Sequence, residues 1–405
     1  MSFRLLTISK MYPGYLGSFY NHFKEVKNMP YQEHYNLLLT DTTEFAGSYT
    51  RTLRRLGVDA ECIIANDSIL QNKWKSENGS KGESWNNILF EQIKKNQPEV
   101  LWIEDLNCTD TDFLTTIKNS VKSIKLIIAY HCSPFNPKIY DRLNHVDFVL
   151  TCTPGLKLDM ENKGFRSYLV YHGFDIDLLP KIKNDNTFPQ NNFVFSGSLA
   201  TGSGYHEKRI ELVEGILKAN IDLALYVNLE QAYKIRAKQF LFRTNEFLRK
   251  LNLDKIRKLV PLLQYNDSKV NNYSRALLER KHEPVFGLDM YRLFTNSKIV
   301  LNLHIGAAGD YAGNMRLFEV TGIGSCILTD NKKNIGDLFV PDAEVVVYSS
   351  VEDCIEKAKW LLDHEDERAK IAFAGQQKTL SFHTVEKRCI TIMEIINNEL
   401  NNSSN

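Results

Sequence analysis

Twice along this chain, short apolar runs alternate with amphipathic stretches, and that doubled alternation constrains the fold more than any other feature. In the first 171 residues, Arg4–Ser9, Val58–Ile64, Val100–Glu104, Lys125–Ala129, Phe148–Thr151 and Ser167–Tyr171 read as strands. Helical patterns fill the gaps at about 44–56, 84–96, 110–120 and 154–164, and Leu56-Gly57 and Lys163-Gly164 supply stop signals. Strands that alternate with helices form βαβ units, which build a mostly parallel sheet covered on both faces.

After a polar, Pro-flanked stretch from Pro180 to Asn192 the alternation restarts. Strands are predicted at Asn192–Ser196, Leu223–Val227, Lys298–Leu303, Ser325–Thr329 and Glu344–Tyr348, with a helix over Glu207–Ala219. Val351, Ile355, Ala358 and Leu362 form a helical stripe, and further helices follow at about 366–379 and 384–400. The expected organisation is a Rossmann-like domain over 1–178, a linker over 179–192 and a second Rossmann-like domain over 193–383. A last helix, 384–400, is free to pack back on the first domain. Two such sheets place a cleft between their carboxyl ends, where open α/β sheets bind ligands.

The length fits this plan, since 405 residues at ~150 per domain imply two or three domains. Fifty Lys+Arg against 49 Asp+Glu leave a net charge of +1, so bulk charge does not announce a nucleic-acid binder. No signal-peptide pattern opens the sequence and no run approaches the ~20 apolar residues of a membrane helix, so a cytoplasmic location is expected. Seven scattered cysteines without a CxxC spacing read as reduced thiols, with neither a disulfide framework nor a metal site expected.

The segment from Gly287 to Asp330 carries the most chemistry. A strand ends at Asn302 and His304, a Gly-rich loop follows, and Asn314 is a good N-cap for a helix holding Met315, Arg316 and Glu319. Free N–H groups at such a helix start suit a phosphate. Arg316 and Glu319, three apart, share one helix face; an ordinary surface ion pair is the plain alternative. A second segment, FVFSGSLATGSGYHEKRIELVEG, sets Gly197, Ser198, Gly202 and Gly204 between a strand and a helix that begins near Lys208 and Arg209. It is neither GxGxxG nor a Walker loop. Its two cations either face a leaving diphosphate or decorate a solvated helix beside Glu207 and Glu211.

The block NMRLFEVTGIGSCILTD, followed by Asp337–Val340 and the stretch EVVVYSSVEDCIEKAKWLLDHEDERAKIAFAGQQKTLSFHTVEKR, resembles the C-terminal half of GT-B glycosyltransferases. The subgroup it is most similar to is related to the spore-maturation protein CgeB, and SYTRTLRRLGVDAECIIANDSILQNKWKSENG is similar to that group's first domain. The resemblance implies a GT-B fold, with two Rossmann-like domains facing across a cleft, and transfer of a sugar from a nucleotide-sugar to a glycan or lipid-linked acceptor. It implies that Glu319 holds the ribose hydroxyls, that Asn314, Met315 and Arg316 face the diphosphate, and that Lys208 and Arg209 neutralise the leaving group. Many retaining relatives carry a glutamate eight positions before Glu319, where this chain has Tyr311. With helix N-termini and cations to carry the charge, no metal or other cofactor is expected.

Further candidates sit at strand ends of the first domain. Lys10–Gly17, including Gly14, reads as an aromatic, Gly-rich loop suited to a sugar. His131 follows a strand and can act as acid or base near pH 7, or can be an ordinary loop histidine. Glu44, Glu104 and Asp105 are alternative bases, among which the sequence does not choose. The basic and aromatic stretch Lys234–Lys258 reads either as a solvated helical insertion with a buried apolar face or as a peripheral membrane contact. Two other functions fit the same architecture: a nucleotide-sugar epimerase, and a non-catalytic nucleotide-sugar-binding protein.

Overall fold

The first alternation closes into one parallel sheet of six strands: β1 (Arg4–Ser9), β2 (Asp59–Ile64), β3 (Val100–Ile103), β4 (Leu126–His131), β5 (Phe148–Thr151) and β6 (Ser167–Leu169). Their spatial order is β2-β1-β3-β4-β5-β6. Every residue of β3, β4 and β5 is buried, because helices cover both faces, and this is why these strands read as continuous apolar runs. The computed structural model describes residues 3–402 except 83, 133–136, 183–187, 202–206, 254–258, 261–262, 264–268 and 305–308. Parts of the expected linker, Gly202, Gly204, part of the Gly-rich loop before Asn314, and part of the 234–258 stretch lie outside the described residues.

The second alternation builds another parallel sheet from β7 (Asn191–Leu199), β8 (Leu223–Leu229), β9 (Lys281–His282), β10 (Ser297–Asn302), β11 (Cys326–Asp330) and β12 (Val346–Tyr348). Its order is β12-β11-β10-β7-β8-β9. Both sheets therefore reverse direction once, between β1 and β3 in the first and between β7 and β10 in the second. Such a switch point leaves a crevice beyond the strands' carboxyl ends, since the flanking connections run to opposite sides.

The two halves are tied at the hinge. Phe174 N–H donates to His383 O at 2.8 Å and Val385 N–H to Phe174 O at 2.9 Å, so the chain crosses between domains twice, side by side. The Val385–Asn402 helix packs on the first sheet: Val385, Cys389, Ile392 and Ile396 fall at i, i+4, i+7, i+11 and join a core with Phe45, Tyr49 and Trp102.

Several local readings are corrected. Residues Pro13–His22 are a helix, because Pro13 presets its first turn; Lys10–Gly17 is thus only partly loop, and Gly14 is helical. The β7 strand runs on through Gly197 and Ser198, which pair with Val227 and Asn228, so neither belongs to the loop expected there. The Ala232–Lys250 helix buries only Ile235 and Asn245 and leaves Tyr233, Phe240 and Phe247 more than half exposed, so it lacks the buried apolar face expected of an insertion. Cys132 and Cys152 are joined as a disulfide, so not all seven cysteines are free thiols. Their Cα atoms are 5.5 Å apart because β4 and β5 are direct neighbours, a proximity no sequence spacing reveals.

Candidate functional site

At the switch point of the second sheet, Arg209 turns inward from the Glu207–Lys218 helix. Its Nε and Nη2 donate to the carbonyl of Leu303, just past β10, at 3.2 and 2.8 Å. Burial, and then the nearby charge of Arg316, lower its pKa to about 10. This is not a solvated helix decoration. Lys208, one residue earlier and so ~100° around the helix, is exposed and lies in the field of Asp310. The structure brings Arg209 toward Arg316 and leaves Lys208 on the rim.

The Met315–Gly322 helix starts from Asn314, whose side chain accepts from Leu317 N–H at 3.4 Å. Asn314 is itself held by Asn302, to which its Nδ2 donates at 2.8 Å, and Asn302 in turn donates to Thr329 at 2.9 Å. The strand ends thus fix the cap, and the cap fixes the helix start. One turn on, Arg316 Nη1 meets Glu319 Oε2 at 2.9 Å, with side chains only 18% and 10% exposed. The Arg316 guanidinium also lies over the Phe294 ring, 4.4 Å from its centroid, and the Tyr291 hydroxyl reaches Glu319 Oε1 at 3.4 Å. The plain alternative of a solvated ion pair does not fit this degree of burial.

Beside the same switch point, His304 Nδ1 and Asp330 Oδ1 are 2.7 Å apart, and the His304 backbone N–H also donates to Asp330. Burial alone would raise the Asp330 pKa; the His304 hydrogen bonds and the Lys332 ammonium hold it below the usual value. Sequence reasoning noted His304 only as a strand end. Its partner is 26 residues away and becomes visible only once β10 and β11 are neighbours.

The first domain presents its own switch point opposite. Glu104, following β3, is bonded by the Ser9 hydroxyl at the end of β1, and burial pushes its carboxyl far up. Asp105 is turned toward Lys10 at 3.4 Å and toward the Asn107 amide. Glu44 accepts from the Tyr12 N–H at 3.0 and 3.2 Å. Burial raises its pKa to about 7 against that hydrogen bond, and the facing charge of Glu319 adds to the rise. Glu44 therefore feels Glu319 of the second domain. His131 ends β4, buried and in register with Thr151, on the side of Ile127 and Ala129.

A narrow crevice opens between the domains, lined by Thr43, Phe45, Tyr49, His172, Met315 and Glu319 among others. The walls approach closely around it. A Cβ on Gly14 would collide with the Phe286 ring of the second domain, and one on Gly313 with the Cys152 carbonyl. Gly14 thus serves an interdomain contact, while Gly197 lies between Phe195 and Arg209.

Residues 243–394 match the model of a family described as glycosyl transferase-like. No curated protein matches the chain at the level of sequence. Among solved structures, a glycosyltransferase from Rickettsia africae superposes with a TM-score of 0.55 at 10% identity, over 98% of this chain and 99% of its own. Anabaena HepE, solved with UDP and glucose, gives 0.56 at 12% identity, over 98% and 99%. Sucrose-phosphate synthase from Thermosynechococcus elongatus gives 0.57 at 8% identity, over 98% of both chains. The fold is GT-B: two Rossmann-like α/β domains facing across a cleft.

Proposed function

We propose that this protein is a glycosyltransferase that moves a sugar from a nucleotide-sugar to an acceptor hydroxyl bound against the first domain. The observation that carries the proposal is Glu319, a carboxylate 7% exposed, on the floor of the interdomain pocket and one turn from a capped helix start. A buried carboxylate at that place can accept two ribose hydroxyls, and the helix start with Arg316 and Arg209 can hold a diphosphate. The glycosyl transferase-like match over 243–394 contains Asn314, Arg316 and Glu319. The UDP and UDP-glucose complexes of Anabaena HepE support a nucleoside diphosphate as the donor's handle.

In this reading the glycosidic bond to the diphosphate breaks through an oxocarbenium-like state, and negative charge grows on the leaving oxygen. Arg209, fixed by the Leu303 carbonyl, stabilises that charge without reorganising. Lys208 assists from the rim. No metal or cofactor is assigned to the step. Glu44 is the proposed base for the acceptor hydroxyl, since it lies opposite Glu319 with a pKa near the working range; His131 is the competing candidate. Gly197 and Ser198 flank the donor through the β7 backbone. We further place the chain in the CgeB-like subgroup, working at the cytoplasmic face of a membrane. Tyr233, Phe240 and Phe247, seven residues apart on an exposed basic helix, fit a lipid surface. Among the described residues no helix is long and apolar enough to cross a membrane.

The test is nucleoside diphosphate release from a panel of nucleotide-sugars, UDP-glucose first, with and without glycan and lipid-linked acceptors. Acceptor-dependent release is expected. Conversion of the sugar without an acceptor, or binding without any turnover across the panel, would overturn the assignment in favour of an epimerase or a binding protein.

A further inference from the structure

Cys132 and Cys152 follow the ends of β4 and β5, whose register sets His131 beside Thr151 and hence the two cysteines beside each other. His172 reaches the same spot from the chain that leaves β6 for the hinge. One donor atom of each of the three residues lies within 4.8 Å of the other two. Among the described residues this is the only group of three or more His, Cys, Asp and Glu side chains so convergent.

We propose that, in the reduced protein, Cys132, Cys152 and His172 form a site for one thiophilic divalent ion of the zinc class. Tetrahedral zinc with sulfur at ~2.3 Å and nitrogen at ~2.0 Å holds its ligand atoms about 3.5 Å apart, so rotations of an ångström or so from the observed positions suffice. Two thiolates and an imidazole are the donors such an ion selects over Mg²⁺ or Ca²⁺. The Tyr130 hydroxyl stands 3.3 Å from His172 Nδ1, in the place of the outer hydrogen bond that orients a ligating imidazole. Three protein ligands leave a fourth position open.

The site is separate from the transfer chemistry proposed above and does not rest on it. Its position nonetheless gives it leverage over the cleft. The Cys152 carbonyl abuts Gly313, which precedes the Asn314 cap, and His172 lines the pocket with Glu319. An ion there pins two strand ends of the first domain to the hinge. The disulfide and the metal site exclude one another, so thiol oxidation would release the ion. Reduction by a phosphine consumes one water, gives two thiols and the phosphine oxide, and metal binding then displaces both thiol protons to buffer.

The full chain, reduced with a phosphine and handled without oxygen, should take up one Co²⁺ with a thiolate-to-metal absorption band, and Zn²⁺ should displace it. Cys152→Ser and His172→Ala should each weaken binding by ~100-fold or more, beyond the 10–100-fold that loss of an outer-shell partner costs. His172→Cys should restore the band, which separates lost ligation from lost folding. No band in the reduced native protein would overturn the site. So would an unchanged band in Cys132→Ser/Cys152→Ser, since another thiol such as Cys108 would then be the ligand.

Discussion

Arg316 donates to Glu319 at 2.9 Å across one turn of a helix, and both side chains are largely withdrawn from solvent. Stability alone is better served by apolar packing than by a pair buried to that extent, which accords with the ligand role proposed for it. Glu319→Ala is therefore expected to weaken nucleoside diphosphate binding by ~1.5–3 kcal/mol, the worth of charged hydrogen bonds. Glu319→Gln should recover only part of it. Calorimetry on the folded variants decides; an unchanged Kd removes Glu319 from the site.

Arg209 separates ground-state from transition-state binding. Its guanidinium donates twice to Leu303 O and reaches the Ser198 carbonyl with Nη1 at 3.5 Å, which fixes it beside the proposed diphosphate site. Arg209→Ala should lower kcat by more than it raises the donor Kd. Arg209→Lys should not rescue, since an ammonium cannot hold the carbonyl and a phosphate in the same planar fork. Equal losses in kcat and in donor affinity would contradict the role.

Glu44 ties activity and stability to pH in opposite directions. Its folded pKa of about 7 lies above the ordinary 4.5, so the fold binds an extra proton between those values. The associated stability is present below pH 4.5 and is lost as pH rises to about 7. A base must be ionised, so transfer should rise with pH through the same range. Glu44→Gln should raise Tm at pH 8 while cutting transfer by ~100-fold or more. If instead His131→Ala alone removes transfer at native Tm, the base is His131.

The close approach of the two domains depends on a missing side chain. Gly313→Ala would push a methyl into the Cys152 carbonyl, and backbone does not yield cheaply. The variant should show a larger radius of gyration by X-ray scattering and a depressed kcat, with nucleotide affinity for the isolated second-domain surface little changed. A native radius with native turnover would show that the close approach is not required.

Much of this is legible in the sequence. Arg4–Ser9 and Phe148–Thr151 are strands at the expected bounds, because apolar runs between turn signals have few other solutions. Asn314 was readable as a cap and Arg316 and Glu319 as neighbours, since both depend on spacing within one helix. Gly14 misled: an aromatic, glycine-rich stretch after a strand looks like a loop, yet Pro13 starts a helix there, and the glycine admits Phe286 from 272 residues away.

The sequence by itself determined the periodic content: two series of strands and helices, their caps, and therefore two parallel sheets with a cleft. Those features are written in contacts of a few residues' range, which local composition controls. Strand order was left to tertiary structure, and with it everything that needs two distant segments side by side. Arg209 against Leu303, His304 against Asp330, and Cys132 beside Cys152 and His172 arise because sheets pair strands remote in sequence, and Glu44 faces Glu319 because the two domains pack together. No periodicity encodes which strand lies next to which. That choice is made when the apolar faces of the whole chain are buried together.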